Sequence, residues 1–331
     1  MIITKTPFRV SFCGGGSDIA DFYREYSGCV LSTTINRYMY LTIHPYFDEM
    51  KTVLKYSRNE IVNNIRDIDH SIFHCVLNEQ HVNGVEISST ADVPSGTGLG
   101  SSSSFTVGLL HTLACYKGEY VSKSVLAKEA CAVEIEKLGA PIGKQDQYAA
   151  AFGGLNFIRF HKDDTVSVEP VISKGSTLKK LQKNLVMFYT GFVHNANEIL
   201  SVQKKNISQR EKTNNLLQMC ELAKDMKSSL ENNELRDFGL ILHESWMKKK
   251  ELASSISNSK IDEMYEKALQ NGAVGGKLLG AGGGGFLLFY CPEEKQILLR
   301  EKLRLKQFPL EFEYDGSSVV YIGDRYWEAN R

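Results

Sequence analysis

Three stretches of this sequence combine residue types that can do chemistry on phosphate and hydroxyl groups. The run PSGTGLGSSSSF, residues 94–105, alternates glycine with small residues, adds four serines and then turns apolar with helical spacing. Glycines let amide N–H groups approach a ligand closely, and a helix start offers unpaired N–H groups at the positive end of its dipole. Together they make an anion site of the kind that binds nucleotide phosphates. Nearby hydroxyls can ligate Mg²⁺, which takes few protein oxygens and keeps several waters. No G-x-x-x-x-G-K-[ST] pattern is present, so this is not the usual P-loop. A surface loop with a serine N-cap is the plainer alternative, but Pro94 in front and an apolar helix behind make a rigid junction.

The second stretch, CGGGSD at residues 13–18, follows a strand that carries Arg9. Glycine at a strand end commonly just makes a tight turn, yet Asp18 beyond it is placed to accept hydrogen bonds from a polyol. The third, GAGGGGF at residues 280–286, satisfies G-x-G-x-x-G, but that fingerprint needs strand, loop and then helix. Here the loop feeds a strand, so a dinucleotide reading fails, and close approach by a ligand or another loop remains.

Carboxylates lie in VEIEKLGAPIGKQDQ, residues 133–147. Glu134 and Glu136 are two apart on an expected helix and point to different faces, so at most one faces a site. Asp146 is equally readable as a helix N-cap or as a site carboxylate. His70 and His74 have zinc-compatible spacing without a third ligand, and a helix face is the better reading. Lys204–Lys205 and the triplet at 248–250 read as solvated faces.

The elements that must position these groups are mixed. Strands are expected at 8–12, 37–43, 84–88, 153–160, 184–189, 286–290, 310–314 and 318–322. Helices are expected at 104–116, at 124–138 with Ser124 as cap, from 196 to 252 with a break near 232–233, at 262–270 and at 293–305. A polar, Lys-rich segment at 163–181 suggests a domain boundary, giving units of 1–172 and 173–331. Strands and helices without strict alternation favour an α+β class.

At 331 residues the chain suits two domains. Lys plus Arg and Asp plus Glu both number 39, which argues against a broad nucleic-acid footprint but not against a local phosphate site. Residues 1–10 lack the regions of a signal peptide and no apolar run reaches a membrane span. Seven cysteines without a C-x-x-C pair suggest reduced thiols in a cytoplasmic protein.

Taken in order, PFRVSFCGGGSD (7–18), PSGTGLGSSS (94–103) and KLLGAGGGGF (277–286) resemble the three motifs of the GHMP kinases, across nearly the whole chain. Within that superfamily, CGGGSD and GKQDQYAAAFGG (143–154) are most similar to the D-glycero-D-manno-heptose 7-phosphate kinases, and fucokinase-type enzymes share much of this. Galactokinase-like enzymes carry a Glu-His pair where this chain has Gly15-Gly16. The resemblance implies two α+β domains, the first (1–172) holding ATP and a left-handed βαβ unit, the second (173–331) ferredoxin-like, with the site in the cleft between. It makes Asp146 the catalytic base and Arg9 its partner. Ser102, or a neighbour one position away, and Glu134 become the Mg²⁺ residues. Pro94, Gly96, Gly98, Leu99, Gly100, Ser101, Ser102 and Ser103 become the ATP-phosphate segment. Gly15, Gly16, Ser17 and Asp18, with Gly282 and Gly283, become substrate contacts. A guanidinium beside a carboxylate favours its ionised form, which orients a hydroxyl but makes a weaker base.

The expected reaction is ATP-dependent phosphorylation of the anomeric hydroxyl of heptose 7-phosphate to the 1,7-bisphosphate, for nucleotide-activated heptose. The alternatives are a kinase of an unphosphorylated sugar such as fucose, or a non-catalytic sugar-binding relative. The expected partners are ATP and a sugar phosphate, without nucleic acid or membrane, and a homodimer is compatible. A substrate phosphate would need its own cations, for which Lys5, Arg37, Lys144 and Lys174 are equal candidates.

Overall fold

The alternation at 8–12 belongs to a longer strand, β1 (Ile2–Cys13), paired antiparallel with β2 (Gly28–Pro45) across the seven-residue helix α1 (Ala20–Tyr26). The computed structural model describes residues 1–193, 196–235, 237–323 and 325–326. Phe8, Val10 and Phe12 on β1 are fully buried, as are Val30, Leu31 and Ile35 on β2, so this hairpin is the spine of the first core. Next come β3 (Thr52–Lys55), β4 (Asn59–Val62), α2 (Ser71–Gln80) and β5 (Val85–Ala91). β3 and β5 run parallel, Val53 opposite Glu86, with α2 in the crossover, which is the βαβ unit. α3 (Ser101–Lys117), α4 (Lys123–Cys131) and α5 (Gln145–Phe152) follow, then β6 (Leu155–Phe160) and β7 (Val166–Pro170).

α3 is buried all round from Ser103 to Leu110, as a central helix must be. Gly108 allows this: a Cβ there would lie 2.8 Å from both Leu41 Cδ1 and Thr6 Oγ1. The helix expected from Ser124 starts one residue earlier, and its cap is Ser122, whose Oγ accepts from Val125 N at 3.3 Å. From Ala132 to Lys137 it widens into a π-helical turn, with Leu138 N donating to Val133 O at 3.0 Å.

The second unit contains α6 (Gly175–Asn184), β8 (Leu185–Tyr189), α7 (Ala196–Asn206), α8 (Arg210–Glu231), α9 (Phe238–Lys250), α10 (Ser259–Gln270), β9 (Gly275–Leu278), β10 (Phe286–Tyr290), α11 (Gln296–Leu303) and β11 (Lys306–Phe308). The long helical region thus breaks near residue 208 as well as near 233. Its sheet has the order β11-β8-β10-β9 with antiparallel neighbours, the arrangement of a βαββαβ ferredoxin-like unit. The chain then returns: β12 (Phe312–Glu313) pairs with β2, and β13 (Ser318–Ile322) pairs with β1. The first sheet therefore has nine strands, two of them from the far end of the sequence.

The polar segment at 163–181 holds β7 and most of α6 rather than a bare linker. His70 caps α2, its ring accepting from Phe73 N at 3.4 Å. All seven cysteines are free thiols, five of them buried. Among the described residues no helix is long and apolar enough to cross a membrane.

Candidate active site

Arg9 and Asp146 meet in a two-bond fork: Nε to Oδ1 at 2.7 Å and Nη2 to Oδ2 at 2.9 Å. Such bidentate pairs fix orientation as well as charge. Arg9 is almost fully buried and its third direction, Nη1, donates to Gly98 O at 2.6 Å, while its backbone N donates to Leu99 O. One side chain on β1 thereby ties the glycine loop to α5. Asp146 lies in the first turn of α5, whose N-cap position is Lys144, so the capping alternative is not what is seen.

The glycine loop enters α3 through Gly100, which has a left-handed φ of 76° and supplies no side-chain cap. The amides of the first turn are thus left for a ligand. Ser102 Oγ donates to Glu134 Oε1 at 2.6 Å, and Gln147 Nε2 donates to Glu134 Oε2 at 2.7 Å. The Ser103 hydroxyl also reaches Glu134, whereas Ser104 Oγ turns away to Pro7 O. Glu134 is buried on the π-helical turn and Glu136 is exposed; π segments are frequent at functional sites. Burial pushes the Glu134 carboxyl up from its usual range, with Ser102, Ser103 and Gln147 opposing the shift.

Asp18 is also buried, and both its oxygens accept backbone N–H groups, from Gly16 at 2.8 Å and Gln145 at 3.2 Å. Burial raises its pKa, against those two bonds. This carboxylate braces the first glycine cluster against the entry to α5, and each oxygen keeps a lone pair for a ligand. The third cluster packs on the second: a Cβ on Gly280 would lie 2.5 Å from Gly98 Cα.

A cavity of 420 Å³ gathers these groups. Arg9, Asp146, Glu134 and Asp18 line it, with Gly15 and Gly16 from the first cluster. Gly96, Gly98, Gly100, Ser101, Ser102 and Ser103 line it from the second, and Gly282 from the third. Four expected residues lie behind its wall. Ser17 Oγ exchanges hydrogen bonds with the Cys29 backbone, Pro94 O accepts from Thr97, Leu99 is buried, and Gly283 N donates to Ile256 O.

The cationic candidates need correction. Lys5 pairs with Glu313, Lys144 with Asp164, Arg37 lies over Phe308, and Lys174 starts α6; none lines the cavity. Lys249 and Lys277 do. Lys249 is the middle of the triplet read as solvated, yet it is buried, because α9 turns that residue inward. Lys277, the first residue of KLLGAGGGGF, is buried on β9.

A ferredoxin-like unit against a mixed sheet, with an open helix start, a forked Arg–Asp pair and a buried Ser–Glu contact in one cavity, defines a phosphotransferase of small molecules. The model for the GHMP kinases N-terminal domain matches residues 63–154, and the GHMP kinases C-terminal model matches 226–309. The D-glycero-alpha-D-manno-heptose 7-phosphate kinase of Campylobacter jejuni is 31% identical over 318 residues, 92% of this chain and 94% of that protein. The bifunctional fucokinase/GDP-fucose pyrophosphorylase of Arabidopsis thaliana is 28% identical over 90% of this chain and 31% of its own length. The crystal structure of a D-glycero-D-manno-heptose 1-phosphate kinase from Bacteroides thetaiotaomicron superposes with a TM-score of 0.81 at 24% identity, covering 98% of this chain and 100% of that one. The chain belongs to the GHMP kinases and is an ATP-dependent phosphotransferase.

Proposed function

We propose that this sugar kinase transfers a phosphoryl group from ATP to the anomeric hydroxyl of D-glycero-D-manno-heptose 7-phosphate, giving the 1,7-bisphosphate. The observation that carries the reading is the meeting of acceptor base and phosphate loop: a Cβ on Gly100 would lie 3.2 Å from Asp146 Oδ2. A hydroxyl held on Asp146 therefore sits against the segment that grips phosphate. Similarity to the Campylobacter heptose 7-phosphate kinase over 94% of that protein supports the choice of sugar.

Phosphoryl transfer needs in-line positioning and neutralisation of charge more than covalent chemistry. The amides of residues 96–103 hold the triphosphate, and the Gly98–Gly280 contact fixes the loop from behind. Ser102 and Glu134 fit Mg²⁺, a hard ion satisfied by two protein oxygens and water, which when bound neutralises phosphate charge. Asp146 accepts the hydroxyl proton. The Arg9 fork keeps this carboxylate oriented for that transfer. Asp18 orients the sugar from the first cluster. Residues 1–172 supply this machinery, and 173–331 close the cavity.

The deciding experiment measures ATP consumption across sugar phosphates and free sugars, with the phosphorylated position read by phosphorus NMR. Heptose 7-phosphate should be preferred and gain an anomeric phosphate signal. Faster turnover of free fucose or mannose would favour the alternative suggested by the fucokinase relative. No turnover with any acceptor would indicate a non-catalytic sugar binder.

A further inference from the structure

Beyond Arg9, Lys249 and Lys277 are the cations that line the cavity among the described residues. Arg9 is paired with Asp146, whereas these two make no such ion pair among the described residues. Lys249 Nζ donates to Gly15 O at 3.2 Å and Gln203 Oε1 at 2.9 Å, and Lys277 Nζ donates to Phe12 O at 3.1 Å. All three acceptors are neutral, and neither lysine forms a salt bridge among the described residues. Both side chains are more than nine-tenths buried. Buried ammonium groups are ordinarily paired with a counter-charge; Lys249 has only the nearby Asp18 carboxylate, itself bonded to two backbone N–H groups, and no carboxylate acts on Lys277.

Unpaired polar atoms surround the same spot. Gln203 is 1% exposed, its Oε1 is taken by Lys249, and its Nε2 has no partner; that Nε2 lies 2.3 Å from where a Cβ on Gly16 would stand, with Lys249 Nζ at 3.4 Å. Ser11 Oγ is likewise unpaired and lies 3.6 Å from a Cβ position on Gly15. Lys249 Nζ, Gln203 Nε2 and Ser11 Oγ meet at Gly15 and Gly16, where Gln145 Oε1, 3.8 Å from a Cβ position on Gly15, is an unpaired acceptor. At Gly16 the missing side chain makes way for Gln203, whereas a Cβ on Gly15 would meet nothing closer than 3.5 Å, so the room for a ligand lies at Gly15.

The geometry points to a second anion subsite, formed by Lys249 and Lys277 with Gln203 Nε2 beside them at the first glycine cluster, that takes a phosphate monoester carried by the acceptor. It rests on the sugar-kinase reading above and specifies how the acceptor is recognised. Burial depresses both lysines, Lys249 to about 8 against the opposing pull of Asp18 and Lys277 to about 7 against that of Cys13, with the Arg9 charge lowering both and Lys249 lowering Lys277 further. A dianion between them would restore both charges.

The test separates the acceptor's phosphate from the nucleotide's. Inorganic phosphate is titrated calorimetrically into the full chain already saturated with a non-hydrolysable ATP analogue. The wild type should still bind phosphate, heptose 7-phosphate should displace it, and K249M and K277M should each weaken it about tenfold or more. In steady-state assays the same variants should raise KM for the sugar phosphate by about 10- to 100-fold, with KM for ATP changed by less than about threefold. Loss of phosphate binding once the analogue saturates the wild type assigns the anion to the nucleotide and overturns the subsite, even if a lysine variant fails to fold. Unchanged phosphate binding and KM in folded variants overturns it too, leaving the lysines as braces for the Phe12 and Gly15 carbonyls. If no acceptor is phosphorylated yet phosphate binding still depends on the lysines, the kinase reading fails and the subsite stands.

Discussion

Arg9 makes all its side-chain bonds inside the protein, two to Asp146 and one to Gly98, so the carboxylate is held whether or not a ligand is present. Asp146→Asn preserves shape and removes the charge that takes a proton. We expect kcat to fall by about 10²–10⁴-fold with ATP affinity unchanged; near-normal turnover would remove Asp146 from the chemistry. Ser102→Ala should raise the Mg²⁺ concentration for half-maximal rate well above that of Ser103→Ala, and the reverse order would move the metal residue by one. Lys277 provides a pH test. Its folded pKa of about 7 lies below the 10.5 of a free lysine, so between those values the unfolded chain binds more protons. Stability contributed by this group is therefore lost at low pH and gained as pH rises. In urea unfolding at pH 7, 8 and 9 without phosphate, wild type should gain on K277M by up to about 1.4 kcal/mol per pH unit. Parallel pH dependences would mean that Lys277 titrates normally.

At the scale of elements, the three glycine clusters are one construction. A Cβ on Gly98 would lie 2.3 Å from Leu279 O, and one on Gly285 would lie 2.2 Å from Thr97 O. Second and third clusters thus touch backbone to backbone, so another loop does approach residues 280–285, while Gly282 still lines the cavity. Gly98→Ala combines that clash with a φ of +84° and should cost about 2 kcal/mol or more, together with most ATP affinity; both are read from melting curves with and without nucleotide. The clusters were legible in the sequence because glycine spacing reports backbone approach directly. The Glu134 site was legible by type but not by geometry, since the π-helical turn at 132–137 arises from packing rather than local propensity. Lys249 was not legible at all. A Lys triplet at the end of a helix looks solvated, and only the docking of α9, with Lys249 Nζ on Gly15 O, turns its middle member inward.

The whole molecule is closed by its own C-terminal end. Residues 306–308 finish the second sheet, and the chain then crosses back to place β12 on β2 and β13 on β1, at Thr34–Ile35 and Ile2–Lys5. The same return carries Ser317, whose Oγ bonds Thr6 Oγ1 and the His111 ring, and so fastens β1 to α3. β1 bears Arg9 and α3 starts at the end of the glycine loop, so the returning strands brace the proposed site from behind. A chain ending at residue 309 keeps both matched family regions yet loses these strands and uncovers the β1 edge. We expect its melting temperature to fall by about 10 °C or more, and aggregation to rise, with ATP binding lost in step because the β1–α3 junction loosens. Full-length stability in the truncated chain would show that β12 and β13 are ornaments on a complete sheet. Restored melting temperature and ATP binding on adding back a peptide of residues 310–323 would confirm that strand pairing, rather than chain length, is what the site requires.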